Sequence, residues 1–187
     1  MIANMTKRPA SVEILDTTLR DGAQAEGISF SVNDKLAVYE ALSNIGVKYV
    51  EAGNPGSNQK DREFFGSFVQ KTGTGTRLCA FGSTKRKDKT CEEDVQIQSL
   101  LSAGTKTVVI FGKVWALEVS EILRASLEEN ISMIAETVAY FVERGIEVIF
   151  DAEHYFEAAK DNKEYAQTCL LAAQNAGAAC VCLCDTN

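Results

Sequence analysis

The sequence predicts an α/β fold of repeated strand and helix units, a (β/α)8 barrel of which this chain supplies about six units. Three observations predict this fold. At four places an amphipathic stretch ends at a Gly and an apolar run follows within a few residues. The apolar runs are mostly continuous, as in parallel strands buried on both faces. Polar residues collect where those runs end.

The four Gly junctions read NIGVKYVEAG, SAGTKTVVIFG, ERGIEVIFDAE and NAGAACVCLCDTN. A helix commonly ends at a residue in the left-handed conformation, which Gly adopts without steric cost. We therefore expect helices to end at Gly46, Gly104, Gly145 and Gly177. A strand should follow each of them.

The pattern predicts six strands, at residues 12–16, 48–52, 77–81, 107–111, 147–151 and 179–184. Five helices are predicted between them. The first begins at a capping box of Ser31 and Asp34, the second includes Phe65 to Val69, and the third includes Ile97 to Leu101. The last two cover residues 120–144 and 165–175.

The length limits how much of a barrel the chain can form. A closed barrel has eight strands and about 250 residues, whereas this chain has 187 residues. Residues 1–187 are therefore interpreted as the N-terminal three quarters of a catalytic barrel domain, with no second domain. An open doubly wound sheet is the alternative, but the G-x-G-x-x-G turn typical of it is absent after the first strand.

Composition favours small-molecule chemistry. The net charge of −7 offers no general attraction to nucleic acid or to anionic lipid. We find no apolar stretch of about 20 residues and no secretory signal, so a cytoplasmic protein without membrane contact is expected. The six cysteines contain no Cys-x-x-Cys pair and are interpreted as reduced core residues. Among them, Cys180, Cys182 and Cys184 should share one face of a strand.

Functional groups of parallel α/β folds gather at the carboxyl ends of the strands. The polar residues at those positions are Arg20, Asp21, Glu51, Asn54, Ser83, Lys85, Arg86, Lys113, Asp151, Glu153, His154, Asp185, Thr186 and Asn187. Two interpretations of Arg20 and Asp21 remain equally open. Asp21 is a ligand for a hard metal ion beside an anion-binding Arg20, or the two residues form an ion pair that closes a loop.

Six blocks in order carry a resemblance to a known family: ILDTTLRDGAQAEGISFSVNDK, NPGSNQKD, AFGSTKRK, TVVIFGKVWAL, FDAEHYF and CLCDTN. The chain resembles the 2-isopropylmalate, homocitrate and citramalate synthases, which are metal-dependent barrel enzymes related to hydroxymethylglutaryl-CoA lyase. It is most similar to the citramalate branch. The resemblance implies a Claisen-type acyltransferase that condenses acetyl-CoA with pyruvate to citramalate and CoA, in isoleucine biosynthesis.

The resemblance also implies residue roles. Asp21 would be a ligand of a divalent metal (Mg, Mn or Zn), and Arg20 would hold the keto oxygen or the developing enolate. Glu153 matches the active-site carboxylate of the family, and Thr186 matches its keto-acid-binding threonine. His154, beside Glu153, is expected to take part in substrate binding or acid–base work, with a structural hydrogen bond as the alternative.

The basic loop that holds Lys85 and Arg86 allows two interpretations. Its cations could bind the phosphates of coenzyme A, or they could form a solvated surface.

Two departures from the family pattern limit the inference. Asn54 stands where citramalate synthases often have Trp, so the wall of the acceptor pocket is expected to differ. The family takes its remaining metal ligands from a His-x-His motif, whereas this chain has one histidine. The other ligands are expected beyond residue 187, and tight metal binding by this chain alone is not expected.

Two alternative functions remain open. The first is a 2-isopropylmalate or homocitrate synthase, which differs in the keto acid. The second is a truncated, noncatalytic chain. The exposed sheet edges of an incomplete barrel also predict association, and a homodimer is expected.

Overall fold

The computed structural model describes residues 12–68 and 75–186. Its strands are β1 (Leu15–Asp16), β2 (Tyr49–Glu51), β3 (Arg77–Ser83), β4 (Thr107–Lys113), β5 (Glu147–Glu153) and β6 (Cys180–Leu183). They form one parallel sheet in the order β1-β2-β3-β4-β5-β6. Since every strand pairs with the next one in sequence and the order never reverses, the sheet is an incomplete barrel, as predicted. The doubly wound alternative is excluded.

The helices lie between the strands. They are α1 (Val32–Asn44), α2 (Gln59–Ser67), α3 (Val95–Ser102), α4 (Ala116–Glu118), α5 (Leu127–Val142), α6 (Tyr155–Asp161) and α7 (Lys163–Asn175). A 3₁₀ turn at Gly22–Gln24 follows β1, and a π-helical turn at Val119–Leu123 follows α4.

The predicted helix ends are confirmed. Gly46, Gly104, Gly145 and Gly177 have φ angles of 83°, 68°, 72° and 102°. The Ser31 hydroxyl accepts the N–H of Asp34, and the Asp34 carboxylate accepts the N–H of Ser31. The predicted capping box therefore begins α1.

Three helix predictions are wrong: the single helix over residues 120–144, the number of helices, and the extent of the second helix. The single helix expected over residues 120–144 is interrupted by Arg124, which has φ 51°, and α5 begins only after Ser126. Two further helices, α4 before the π-helical turn and α6 before α7, were not predicted. The second helix ends at Ser67, so Phe68 lies outside it. Val69 and Asn187, which the predictions also included, lie outside the described residues.

The sheet has an outer and an inner face because side chains alternate along each strand. On the outer face, Val108, Ile110, Val148 and Phe150 are buried against the helices. On the inner face, Cys79, Val109 and Ile149 form a smaller apolar cluster with Leu15, Tyr49 and Phe81. Side chains that continue this inner row toward the carboxyl ends of the strands reach the candidate site.

The cysteine prediction is confirmed in part. Cys79, Cys91 and Cys169 are buried and free. Cys180 is exposed, and Cys182 and Cys184 are half-buried, so the expectation of core packing is wrong for these three. The reason is that β6 is an edge strand of this sheet, and Cys182 and Cys184 border an open cavity.

Candidate functional site

A cavity of about 580 Å³ opens at the carboxyl ends of the strands. It extends from the end of β1 to the end of β6, across the inner face of the sheet. The apolar part of its wall consists of Phe81, Val109 and Phe111 together with Leu15. The rings of Phe81 and Phe111 stack with their centroids 5.1 Å apart. The polar lining includes Arg20, Asp21, Gln24, Glu51, Asp151, Glu153, Asp185 and Thr186.

A tight turn after β1 brings Arg20 over the sheet. The Thr17 carbonyl accepts the backbone N–H groups of Arg20, Asp21 and Gly22. The Asp16 carboxylate accepts the N–H and hydroxyl of Thr18, which fixes the start of the turn. The segment that follows β1 therefore turns back toward the inner face, where the cavity lies.

The Arg20 guanidinium contacts two carboxylates and a ring. Its Nε donates to Glu51 Oε1, and its Nη1 lies 3.0 Å from Asp21 Oδ1. Its Cζ lies 3.8 Å from the centroid of the Phe81 ring. Because the three contacts come from different elements, the guanidinium has one fixed position in the cavity.

Glu51 is a buried carboxylate, with 1% of its side chain exposed. Burial raises its pKa to about 7, although the ion pair with Arg20 opposes this. Asp151, on β5, also lines the cavity, and burial raises its pKa. Its Oδ1 is buried without a hydrogen-bond partner among the described residues. The cavity thus contains two carboxyl groups that hold a proton more readily than usual.

Glu153 lies two residues beyond Asp151 on the same face of β5. Its Oε2 is 2.6 Å from Lys113 Nζ, and the same ammonium lies 3.2 Å from Glu118 Oε1. Burial lowers the pKa of Lys113, but its bonds to Glu153 and Glu118 outweigh this, and the net effect raises the pKa. Lys113 is therefore a fixed cation that holds the Glu153 carboxylate at the cavity wall.

His154 is not among the residues that line the cavity. Its Nε2 lies 3.5 Å from Glu118 Oε1, and its ring lies 6.1 Å from that of Trp115. Its backbone has φ 53°, and its N–H donates to the Thr186 hydroxyl at 2.9 Å. The structure therefore connects His154 to the cavity in two ways: its N–H donates to Thr186, and its imidazole contacts Glu118, which also contacts the Lys113 ammonium that holds Glu153.

Lys85 and Arg86 lie apart from the cavity. Lys85 is 7% exposed, and its ammonium contacts the Lys89 carbonyl at 2.9 Å and the Glu136 carboxylate at 3.0 Å. Arg86 is exposed, with Nε 3.8 Å from Asp94. The contacts of Lys85 are those of a structural ion pair. Binding of coenzyme A phosphate by either residue stays a prediction.

A second cavity of about 490 Å³ adjoins the first and shares Arg20, Gln24 and Phe81 with it. Its wall includes a buried ion pair in which Lys35 Nζ contacts Asp61 Oδ1 and the Ala52 carbonyl. Asp61 also accepts the N–H of Asn54 at 2.8 Å. A Cβ at Gly53 would lie 2.4 Å from Asp61 Oδ2. Residues of the SVNDK and NPGSNQKD blocks therefore fix the loop after β2.

Four of the seven predicted site residues line one cavity: Arg20, Asp21, Glu153 and Thr186. The sequence motifs indicate no role for Glu51, Asp151 or Lys113, although all three stand at strand ends. The sequence feature that could have identified Asp151 and Lys113 is the alternation of side chains along a strand, which places residues two apart on the same face. It places Asp151 beside Glu153, and Lys113 faces Glu153 across the β4–β5 pair.

Asp21 is the predicted metal ligand. Its side chain is 62% exposed, and its Oδ1 pairs with Arg20, so the carboxylate is accessible from solvent. Within residues 12–68 and 75–186, no three His, Cys, Asp or Glu side chains are arranged to hold a metal ion. A hard divalent cation at this place would need further oxygen or imidazole ligands.

Comparison with known proteins identifies the family. The HMGL-like family model matches residues 11–187. (R)-citramalate synthase of Aquifex aeolicus is 50% identical over 176 residues, which cover 94% of this chain and 33% of the relative. The (R)-citramalate synthase of Sulfolobus acidocaldarius is 46% identical over 177 residues, or 95% of this chain and 34% of the relative. This chain belongs to the HMGL-like family.

Two other known proteins are less similar to this chain. 2-Isopropylmalate synthase of Prochlorococcus marinus is 32% identical over 185 residues, which cover 97% of this chain and 33% of the relative. Hydroxymethylglutaryl-CoA lyase of Pseudomonas aeruginosa shares the fold, with a TM-score of 0.73 at 19% identity over 95% of this chain and 58% of that one. The chain spans about a third of the length of the curated relatives it matches. Among the described residues, no helix is long and apolar enough to cross a membrane.

Proposed function

We propose that this protein is a citramalate synthase, an acyltransferase that joins the methyl carbon of acetyl-CoA to the keto carbon of pyruvate. Water then hydrolyses the thioester, which releases citramalate and CoA. The observation that carries the proposal is the convergence of Arg20, Asp21, Glu153 and Thr186 on one cavity. Relatives named (R)-citramalate synthase at 46–50% identity support it. Residues 1–187 would form the N-terminal three quarters of the catalytic barrel, in a cytoplasmic homodimer.

The geometry suits a small keto acid. The Arg20 guanidinium would neutralise negative charge that develops on the keto oxygen. The Thr186 oxygen already accepts the N–H of His154, so its own proton is free to be donated to the substrate. Phe81, Val109 and Phe111 would contact the methyl group of pyruvate.

A divalent cation bound at Asp21 would supply Lewis-acid chemistry. Asp21 fits this role as an accessible carboxylate, and the other ligands would come from the His-x-His motif that the family resemblance implies beyond residue 187. Glu153, held by Lys113, would supply a carboxylate at the cavity wall for proton transfer. Coenzyme A would extend out of the cavity.

The closest alternative is 2-isopropylmalate or homocitrate synthase, which shares the donor and differs in the keto acid. Identity to a 2-isopropylmalate synthase is 32%, below the 46–50% to the citramalate synthases. A noncatalytic chain is the alternative from another class. These functions predict different results in one assay.

The test measures release of free thiol from acetyl-CoA by the whole protein with added Mg²⁺ or Mn²⁺. The acceptors are pyruvate, 2-ketoisovalerate and 2-ketoglutarate. We expect release with pyruvate, and a fall in kcat of about 100-fold or more in Arg20→Lys and Asp21→Asn. Asp88→Asn, at an exposed carboxylate outside both cavities, is the matched control and should retain activity.

Preference for another acceptor would replace citramalate synthase by the corresponding synthase. No release with any acceptor would overturn the proposal and favour a noncatalytic chain.

A further inference from the structure

Two cysteine thiols lie side by side in the cavity wall, at the end of β6. Cys182 and Cys184 both line the cavity, and both are half-buried and free. Their sulfur atoms are 3.6 Å apart. No role in the proposed function uses either sulfur.

The separation of the two sulfurs is that of a chelating pair. Residues two apart in a strand have Cα atoms about 6.6 Å apart, which keeps these sulfurs from the distance of about 2 Å that a disulfide needs. Two thiolates on one tetrahedral Zn²⁺, with Zn–S bonds of about 2.3 Å, have sulfurs about 3.8 Å apart. The observed 3.6 Å is close to this value. One cation could therefore bind both sulfurs with little movement of the chain.

The main chain holds the pair in place. The Cys184 N–H donates to the Ala152 carbonyl at 3.3 Å, and the Cys184 carbonyl accepts the N–H of Tyr155 at 3.1 Å. Cys182 pairs with Asp151 in the β5–β6 ladder. Because both cysteines are fixed to β5 or to the segment that follows it, their sulfurs are organised before a ligand arrives.

The charge of the cavity also favours a cation. Its lining includes five carboxyl groups and one guanidinium, from Asp21, Glu51, Asp151, Glu153, Asp185 and Arg20. Lys113, which contacts Glu153, adds a second positive charge at the wall. Negative groups still outnumber positive ones when Glu51 and Asp151, whose pKa values are raised, hold protons. The cavity therefore attracts positive ions.

The neighbouring cysteine does not belong to the pair. Cys180 stands two residues earlier on the same face of β6, but it does not line the cavity. Its thiol contacts the Val181 carbonyl instead of another sulfur. Cys180 is therefore a natural control for the two cysteines of the cavity.

We propose that Cys182 and Cys184 chelate a soft divalent cation of the zinc and cadmium class, with water in the remaining coordination positions. Each thiol loses its proton, and each sulfur donates an electron pair to the cation. The balance is two thiols and one cation in, and one chelate and two protons out, without oxidation or reduction. Thiolates select such cations, whereas a carboxylate such as Asp21 suits Mg²⁺. The inference does not rest on the proposed function, because its measurement needs no substrate.

The test titrates Cd²⁺ into the purified, reduced protein in the presence of excess Mg²⁺, which occupies oxygen sites. Ultraviolet absorption from sulfur-to-cadmium charge transfer measures binding to thiolates. We expect this absorption to saturate at one Cd²⁺ per chain, with two protons released. In the wild type, bound Cd²⁺ should also protect Cys182 and Cys184 together from alkylation, measured for each cysteine by mass spectrometry. Cys180 should stay reactive.

Three variants make the test specific. Cys180→Ser is the matched control and should bind Cd²⁺ as the wild type does. Cys182→Ser and Cys184→Ser should each weaken binding at least about tenfold, because a single thiolate loses the advantage of two linked ligands. The protection measurement in the wild type needs no variant, so it tests the pair even if a substitution disturbs folding.

The proposal is overturned if the wild type shows no absorption from bound thiolates, or if Cd²⁺ fails to protect Cys182 and Cys184 together. Binding that survives unchanged in Cys182→Ser or Cys184→Ser would also overturn it, as would binding that is lost in Cys180→Ser.

Discussion

At the scale of single residues, the sequence identifies reactive side chains, but it does not identify the contacts that set their pKa values. Arg20 and Asp21 were recognisable from the block around them. The burial of Glu51 beneath Arg20 was not, because it depends on which way the chain turns after β1. The contact between the buried Glu51 carboxylate and the Arg20 guanidinium arises only when the sheet has folded. The charge state of Glu51 follows from this environment.

This environment makes stability depend on pH. Burial raises the pKa of Glu51 from 4.5 to about 7, so the folded protein binds more protons than the unfolded chain between these values. The free energy of unfolding should therefore fall as pH rises through this window, by about 3 kcal/mol at most. Glu51→Gln should remove this contribution, and its stability should improve relative to the wild type toward pH 8.

Urea unfolding of both proteins at a series of pH values measures the difference. Glu121→Gln, at an exposed glutamate, is the control and should follow the wild type throughout. If the curves for the wild type and Glu51→Gln are parallel from pH 4.5 to 8, Glu51 does not titrate in this window.

At the scale of elements, the four helix ends at Gly and the capping box of Ser31 were predictable, and the start of α5 was not. The apolar stripe from Leu123 to Phe141 continues across the break at Arg124, so periodicity alone joins two helices. Arg124 adopts the left-handed conformation without being Gly, which gives no sequence signal. The capping residues Ser126 and Glu129 are visible in the sequence, but they lie within this apolar stripe, which hides the start of α5.

That cap should contribute measurably to stability. The Ser126 hydroxyl accepts the N–H of Glu129 at 3.1 Å, and the Glu129 carboxylate accepts the N–H of Ser126 at 2.7 Å. Ser126→Ala removes the first bond and leaves the first turn of α5 without its acceptor. We expect the free energy of unfolding to fall by about 1 kcal/mol.

Ser132→Ala makes the same chemical change at an exposed position inside α5. Because Ala favours helix interiors, this control should be neutral or slightly stabilising. Urea unfolding compares the two variants. Equal stability of both would show that the cap contributes nothing beyond helix propensity.

At the scale of the whole molecule, the topology followed from repetition. Each Gly stop and apolar run predicts a helix and then a parallel strand joined by a right-handed crossover. The missing G-x-G-x-x-G turn favours the barrel-like strand order over a doubly wound one. The same order explains why residues from distant blocks meet, since Arg20 after β1 and Thr186 after β6 line one cavity. The exact strand ends were less predictable, because β3, β4 and β5 each extend two residues further into the polar region than expected.

The open sheet leads to a last prediction. β1 and β6 lie at the two edges, and an unpaired edge with apolar neighbours favours pairing with a second chain. Leu183, at the end of β6, is 44% exposed. We expect the 187-residue chain to self-associate, and Leu183→Lys to weaken this about tenfold, because it places a charge at the edge and removes apolar contact.

Leu171→Lys is the matched control, since Leu171 is 53% exposed and lies on the helix α7, so that the substitution adds no charge to a strand edge. Sedimentation velocity over a concentration series measures the association of the three proteins. The wild type and Leu171→Lys should associate alike, and Leu183→Lys should shift toward monomer. A wild-type chain that is monomeric throughout, or equal weakening by both substitutions, would show that the β6 edge does not drive association. In that case contact through the edge of β6 could not hold the proposed homodimer together.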